Sequence, residues 1–200
     1  MSIHVFIVGS HPSRPHTPFD EIFERSRARQ TSTFRVLRCS SPADVFGLVQ
    51  QEVRACNMPI RLLDFLDHGG AGYIRMGDPL EPPLFSHDAP DMRLAEDLSL
   101  FLMEGARVRL VGCETAVGEQ GQRLLTRIAM ALGKSAVVQG TIACVNDKDS
   151  PARRSDFDEQ GFRAAREEWL LFSSTEAAHR VAPSAAERQE ALTQWRRDVG

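Results

Sequence analysis

Two short segments carry the residues whose types and spacing suit catalysis. "LLDFLDHGG" (62–70) runs from apolar residues into His68-Gly69-Gly70, and "RLVGCETAVG" (109–118) runs from apolar residues into Gly112-Cys113. An imidazole beside a thiol is the minimal pair for nucleophilic catalysis, because the base takes the thiol proton and the thiolate attacks. The glycines suit the same chemistry. Acyl transfer needs backbone N–H donors aimed at a developing oxyanion, and Gly69 and Cys113 supply two candidates. Gly112 lets the chain bend and lets a substrate pass close by. Taken singly, each feature has an ordinary explanation: a strand-end cysteine is usually a small buried hydrophobe, and His-Gly is usually a turn. Their joint occurrence at the ends of consecutive strands favours the catalytic reading.

The elements that must position this pair are legible around it. Strands are expected at 60–66 and 107–111. Between them lies a helix expected over 92–103, with Ala95, Leu98, Phe101 and Leu102 on one face and Gly105 as its stop. A right-handed crossover through that helix makes the two strands parallel neighbours. Both side chains then emerge beyond the carboxyl ends of the sheet, where reactive groups of α/β proteins sit. Alternation puts Asp64, Leu66 and His68 on one face, and Arg109, Val111 and Cys113 likewise. If His68 lies level with Cys113, Asp64 lies level with Arg109. A buried charge is costly unless paired, so an Asp64–Arg109 ion pair is expected beneath the site.

"LLDFLDHGGAG" followed by "VRLVGCETA" resembles the caspase-like cysteine peptidases, a group that includes caspases, gingipains, clostripain, separase and self-cleaving toxin protease domains. The shared pattern is an apolar strand ending in His-Gly, then one ending in Ala/Gly-Cys. Residues 60–140 carry it, and "GCETAVGEQGQRLLTRIAMALGKSAVVQGT" is similar to bacterial members. The resemblance implies a three-layer α/β fold, with a mostly parallel central sheet of about six strands and helices on both faces. It implies a cysteine endopeptidase acting on a protein or peptide, with His68 as general base or acid and Cys113 as nucleophile. The backbone of Gly69 and Cys113 would form the oxyanion hole, and no metal or organic cofactor is needed. The Gln-Ala-Cys-x-Gly motif of true caspases is absent, so specificity for Asp has no support here. Family members often keep specificity determinants or a self-processing site after the strand that follows the cysteine strand. The acidic loop 146–160 occupies that place, so Asp147 and Asp149, with Glu114, are candidate substrate-binding residues favouring a basic residue before the scissile bond. Activation through cleavage in 146–160, through a partner or through a small ligand fits the same resemblance. Glu114 and Thr115 either line the cleft or cap the following helix. Two rival readings are a non-catalytic interaction module built on the same sheet and another thiol-dependent acyl hydrolase.

Elsewhere the pattern alternates strand and helix, which implies a mainly parallel sheet. Strands are expected at 3–9, 33–38, 135–145 and 169–173. Helices are expected at 19–29, capped by Thr17, from Pro42 to near Cys56 and Asn57, capped by Ser40 or Ser41, and at 120–132. Residues 72–80 read as a hairpin arm, 79–90 as loop and 146–161 as a mobile loop. One domain is expected over 1–182, with a helical tail at 183–200. His11 and His16 lie in a loop at a strand's carboxyl end, where they would rim the cleft, whereas His4, His87 and His179 show no partner pattern.

Composition bounds the function. With 42% hydrophobic and 26% charged residues the chain reads as an ordinary globular domain, and its formal charge of −3 offers no basic face for nucleic acid. No apolar stretch approaches the roughly 20 residues of a membrane span. The start, MSIHVFIVGSHPSRP, reads as a first strand rather than a signal peptide. Four widely spaced cysteines without CxxC argue against a structural zinc site or disulfide framework and for a reducing, cytoplasmic setting, with Cys39 and Cys144 as buried fillers.

Overall fold

All seven residues of β1 (Ile3–Gly9) are buried. A run that is buried throughout and apolar but for His4 suits a strand covered on both faces. A computed structural model describes residues 1–13, 17–133 and 136–141, and the backbone of 169–173. β1 is flanked by β2 (Phe34–Cys39) on one side and β3 (Ile60–Leu66) on the other, both parallel to it. The sheet continues through β7 (Leu102–Val111) and β8 (Val137–Thr141), also parallel, to an antiparallel sixth strand, β9 (Trp169–Ser173). The order is β2-β1-β3-β7-β8-β9.

Helices cover both faces. α1 (Pro18–Arg27) starts where the Asp20 carboxylate accepts hydrogen bonds from Thr17 N at 2.8 Å and Thr17 Oγ1 at 3.1 Å. It buries Phe19, Ile22 and Phe23 against Phe6, Val8, Leu66 and Val111. The opposite face of the sheet shows Val5, Ile7, Leu63, Phe65, Val108 and Leu110. These pack with α2 (Val45–Cys56), α3 (Arg93–Ser99) and α4 (Gly118–Leu132) through Val45, Val49, Ala95, Leu98, Leu124, Leu125 and Ile128. Each fully buried Phe, Ile or Leu contributes about 1.5–3 kcal/mol relative to exposure. A 3₁₀ turn at Pro42–Asp44, capped by Ser41 Oγ, leads into α2, which ends at Asn57 in the left-handed conformation. No helix among the described residues is long and apolar enough to cross a membrane.

The expected helix over 92–103 is corrected. α3 stops at Ser99, and Leu102 already pairs with Ile60 as the first residue of a ten-residue strand. The register then jumps from Ile60↔Leu102 to Leu62↔Arg107. The additional residues on β7 form a bulge holding Gly105 at φ +68°. Gly105 therefore marks an irregularity within a strand, where a left-handed residue is needed, and not a helix stop. The region expected as hairpin arm and loop forms a small antiparallel sheet of β4 (Gly69–Gly70), β5 (Tyr73–Ile74) and β6 (Phe85–Ser86). This sheet starts directly after His68.

Candidate functional site

β3 and β7 pair through Asp64↔Arg109, Phe65↔Leu110 and Leu66↔Val111. One residue beyond, Asp67 N donates to Val111 O at 3.3 Å. The two chain ends then run against each other. A Cβ added to Gly112 would lie 3.0 Å from both Gly69 Cα and Asp67 O, and one added to Gly69 would lie 2.6 Å from Thr115 Cγ2 and 3.1 Å from Cys113 O. These glycines serve close backbone approach. His68 and Cys113 each stand two residues past the last ladder pair, Leu66↔Val111, beyond the ends of β3 and β7. His68 is exposed and Cys113 half-buried.

His68 is held from several directions. Its N–H donates to Asp67 Oδ1 at 2.6 Å, and its carbonyl accepts from Arg75 N at 2.9 Å. Its ring stands edge-on to Phe19 of α1, with centroids 4.9 Å apart, and packs against the His11 ring at 5.2 Å. Asp67 is the hub. Its buried carboxylate also accepts from His11 Nε2 at 2.8 Å and from Gly77 N at 2.7 Å. A Cβ on Gly9 would lie 2.0 Å from Asp67 Oδ2, so the end of β1 must be glycine for this carboxylate to fit. His11, expected at the cleft rim, is instead buried at 4% exposure and bonded inward. Asp67 is not legible as a site residue in the sequence. The only signal was its place between an apolar strand and His68.

The turn carrying Cys113 is stitched to β8. Thr115 is buried, donates to Leu110 O at 3.1 Å and accepts from Thr141 N at 3.0 Å. Thr141 Oγ1 donates to Gly112 O, and Ala116 N donates to Thr141 O at 2.8 Å. Thr115 is thus neither a cleft residue nor a helix cap; it fixes the turn. Glu114 is exposed at φ +55°, and its carbonyl accepts from Val117 N at 2.9 Å as the chain reverses into α4. A non-glycine residue in the left-handed region is uncommon and here sits directly beside the cysteine.

Beneath the strand ends lies the expected ion pair. Arg109 Nε and Nη2 donate to Asp64 Oδ1 and Oδ2, each at 2.5 Å. His4 Nε2 lies 2.6 Å from Asp64 Oδ2, so a fully buried carboxylate is shared by two partners. Burial pushes the Asp64 pKa up, but Arg109 and His4 outweigh it and hold the carboxyl below its ordinary value. His4 carries no partner signal in the sequence, although strand alternation puts it on the same sheet face as Phe6 and Val8. Cys39 behaves as the expected filler: it is buried, donates to Ser41 O, and burial pushes its thiol up to about 11. His16, Cys144, Asp147, Asp149, the loop 146–160 and the tail 183–200 lie outside the described residues.

His11, Asp67 and His68 bring two imidazoles and a carboxylate together, with ligand atoms within 4.8 Å of one another. No protein-family model matches the chain, and no curated protein matches it.

Proposed function

We propose that the chain is a cysteine endopeptidase with a Cys113–His68 dyad, built on a three-layer caspase-like arrangement. One observation carries the reading: β3 and β7 are adjacent and parallel, and counting on from their last register pair, Leu66↔Val111, brings His68 and Cys113 level just beyond the strand ends. In this mechanism the His68 imidazole takes the Cys113 thiol proton, and the thiolate attacks the peptide carbonyl carbon. The N–H groups of Gly69 and Cys113 hold the oxyanion. His68 returns its proton to the leaving amine, and water, deprotonated by the same imidazole, hydrolyses the thioester. No metal or organic cofactor takes part.

The surroundings of both residues support these roles. The Phe19 and His11 rings pack against the His68 ring, and the Asp67 carboxylate holds the His68 backbone N–H. The Thr115–Thr141 bonds keep the cysteine turn in place, which matters because a displacement of about 1 Å at a reacting atom costs catalysis heavily. Substrate selection falls to Glu114 with Asp147 and Asp149, favouring a basic residue before the scissile bond. Cleavage within 146–160 or a partner protein would switch the enzyme on, in a cytoplasmic setting.

The test is a peptide-library cleavage profile with a peptidyl electrophile as label. The expected result is modification at Cys113, a preference for one peptide sequence, and loss of both turnover and labelling in Cys113→Ala and His68→Ala. Hydrolysis of small thioesters or esters without peptide cleavage would replace this reading with another thiol acyl hydrolase. A biological activity intact in Cys113→Ala would point to an interaction module.

A further inference from the structure

We propose that His11, Asp67 and His68 form a binding site for Zn²⁺, and that the ion, when bound, withdraws His68 from proton transfer. The site itself stands on geometry; only its consequence for turnover rests on the peptidase reading above.

The three residues come from two places in the chain, the loop after β1 and the end of β3, yet their ligand atoms lie within 4.8 Å of one another. His11 Nε2 and Asp67 Oδ1 are 2.8 Å apart. Tetrahedral zinc, with bonds of about 2.0–2.1 Å, sets neighbouring ligand atoms roughly 3.3 Å apart, which falls between these two separations. His11 and Asp67 are buried, so two of the three ligands are already ordered. The third, His68, is exposed, and its ring already brings a ligand atom within 4.8 Å of the other two.

The carboxylate is oriented as a metal ligand would be. Gly77 N holds Oδ2 at 2.7 Å and His68 N holds Oδ1 at 2.6 Å, the type of outer support that ligating carboxylates carry. His11 stacks on Phe19 with centroids 5.5 Å apart, which fixes its ring plane. Two imidazoles and one carboxylate with an open fourth position suit zinc. Calcium and magnesium need more oxygen ligands than this cluster offers. On binding, the ion takes the place of the His11–Asp67 hydrogen bond, and the His11 proton moves to Nδ1.

The consequence for His68 follows from imidazole chemistry. A neutral imidazole bound to a metal through one nitrogen carries its proton on the other. Neither nitrogen can then accept the Cys113 proton, whichever of the two coordinates.

The experiment titrates the untagged full chain with Co²⁺ alone, then displaces it with Zn²⁺. The expected result is one equivalent of Co²⁺ with the intense visible absorption of a four-coordinate centre, displaced by Zn²⁺ and unaffected by Mg²⁺. His68→Ala, at an exposed position, and Asp67→Asn should each weaken binding at least tenfold, and Cys113→Ala should leave it unchanged. Absence of a one-to-one site, or undiminished affinity in His68→Ala, overturns the proposal. So does loss of binding in Cys113→Ala, which would mean a different ligand set. These readouts stand whether or not the chain cleaves peptides. Against peptide substrate, Zn²⁺ should inhibit with a constant matching its Co²⁺-displacement affinity, and undiminished turnover with the site saturated overturns the withdrawal of His68.

Discussion

Asp64 on β3 and Arg109 on β7 are register partners, joined by two N–H···O bonds of 2.5 Å each, and Asp64 is completely buried. The pair lies on the α1 side of the sheet, on the same faces of β3 and β7 as Leu66 and Val111, two residues on. It therefore ties β3 to β7 in the register from which the segments carrying His68 and Cys113 leave the sheet.

Removing Arg109 leaves the buried Asp64 charge with His4 as its remaining partner. Arg109→Met should lower stability by about 3–5 kcal/mol. Asp64→Leu combined with Arg109→Met should recover part of that loss, because the two apolar residues need no partner, although buried His4 loses its own. Urea denaturation of both variants checks this. A single variant as stable as the parent would show that the pair does not hold the strands.

The same carboxylate predicts an acid limb. The folded Asp64 pKa is depressed, so its stabilisation is fully present above the unfolded value and is lost as pH falls through the lower folded value. With an unfolded carboxylate near about 4, denaturation midpoints should fall steeply only below that pH. Asp64→Asn should flatten this limb while lowering stability near neutrality. An acid limb of unchanged steepness in the variant would assign it to other carboxylates.

Two glycines should respond oppositely to alanine. A Cβ on Gly9 would meet Asp67 Oδ2 at 2.0 Å, so Gly9→Ala should displace the Asp67 carboxylate and destabilise the fold. Gly47 lies within α2 with nothing within 4 Å of an added Cβ, so Gly47→Ala should stabilise by about 0.5–1 kcal/mol. Thermal melts of the two proteins give the comparison, and a stabilised Gly9→Ala would contradict the packing at Asp67.

The stitch between the cysteine turn and β8 can be cut one hydroxyl at a time. Thr141→Val removes the donor to Gly112 O, and Thr115→Val removes the acceptor of Thr141 N. Each should cost about 1–3 kcal/mol, the usual penalty for stranding a buried polar partner. Chemical denaturation measures it, and a loss below a few tenths would mean the turn is held by other contacts.

Cys39 should be inert. With its thiol pushed up to about 11, it carries thiolate in only roughly one molecule in three thousand at pH 7.5. Iodoacetamide at that pH should spare Cys39 in the native protein and label it after denaturation, as read by peptide mass. Native labelling at the unfolded rate would contradict its burial.

The chain by itself determined the strands β1, β3 and β8, the helices α1, α2 and α4, and the Asp64–Arg109 pairing. Apolar periodicity, caps and side-chain alternation are local or nearly local signals, and a charge in a buried strand announces its need for a partner. The ten-residue length of β7 was not legible. Leu98, Phe101 and Leu102 fit a helical stripe, and only pairing with Ile60 draws Leu102 into the sheet. Nor could the sequence announce that His4 joins Asp64, or that His11 turns inward to Asp67 beside His68. Those contacts join residues more than fifty positions apart, and no local pattern encodes them. They exist because parallel β1 and β3 bring distant segments side by side, and only the folded sheet decides which side chains then share a buried space.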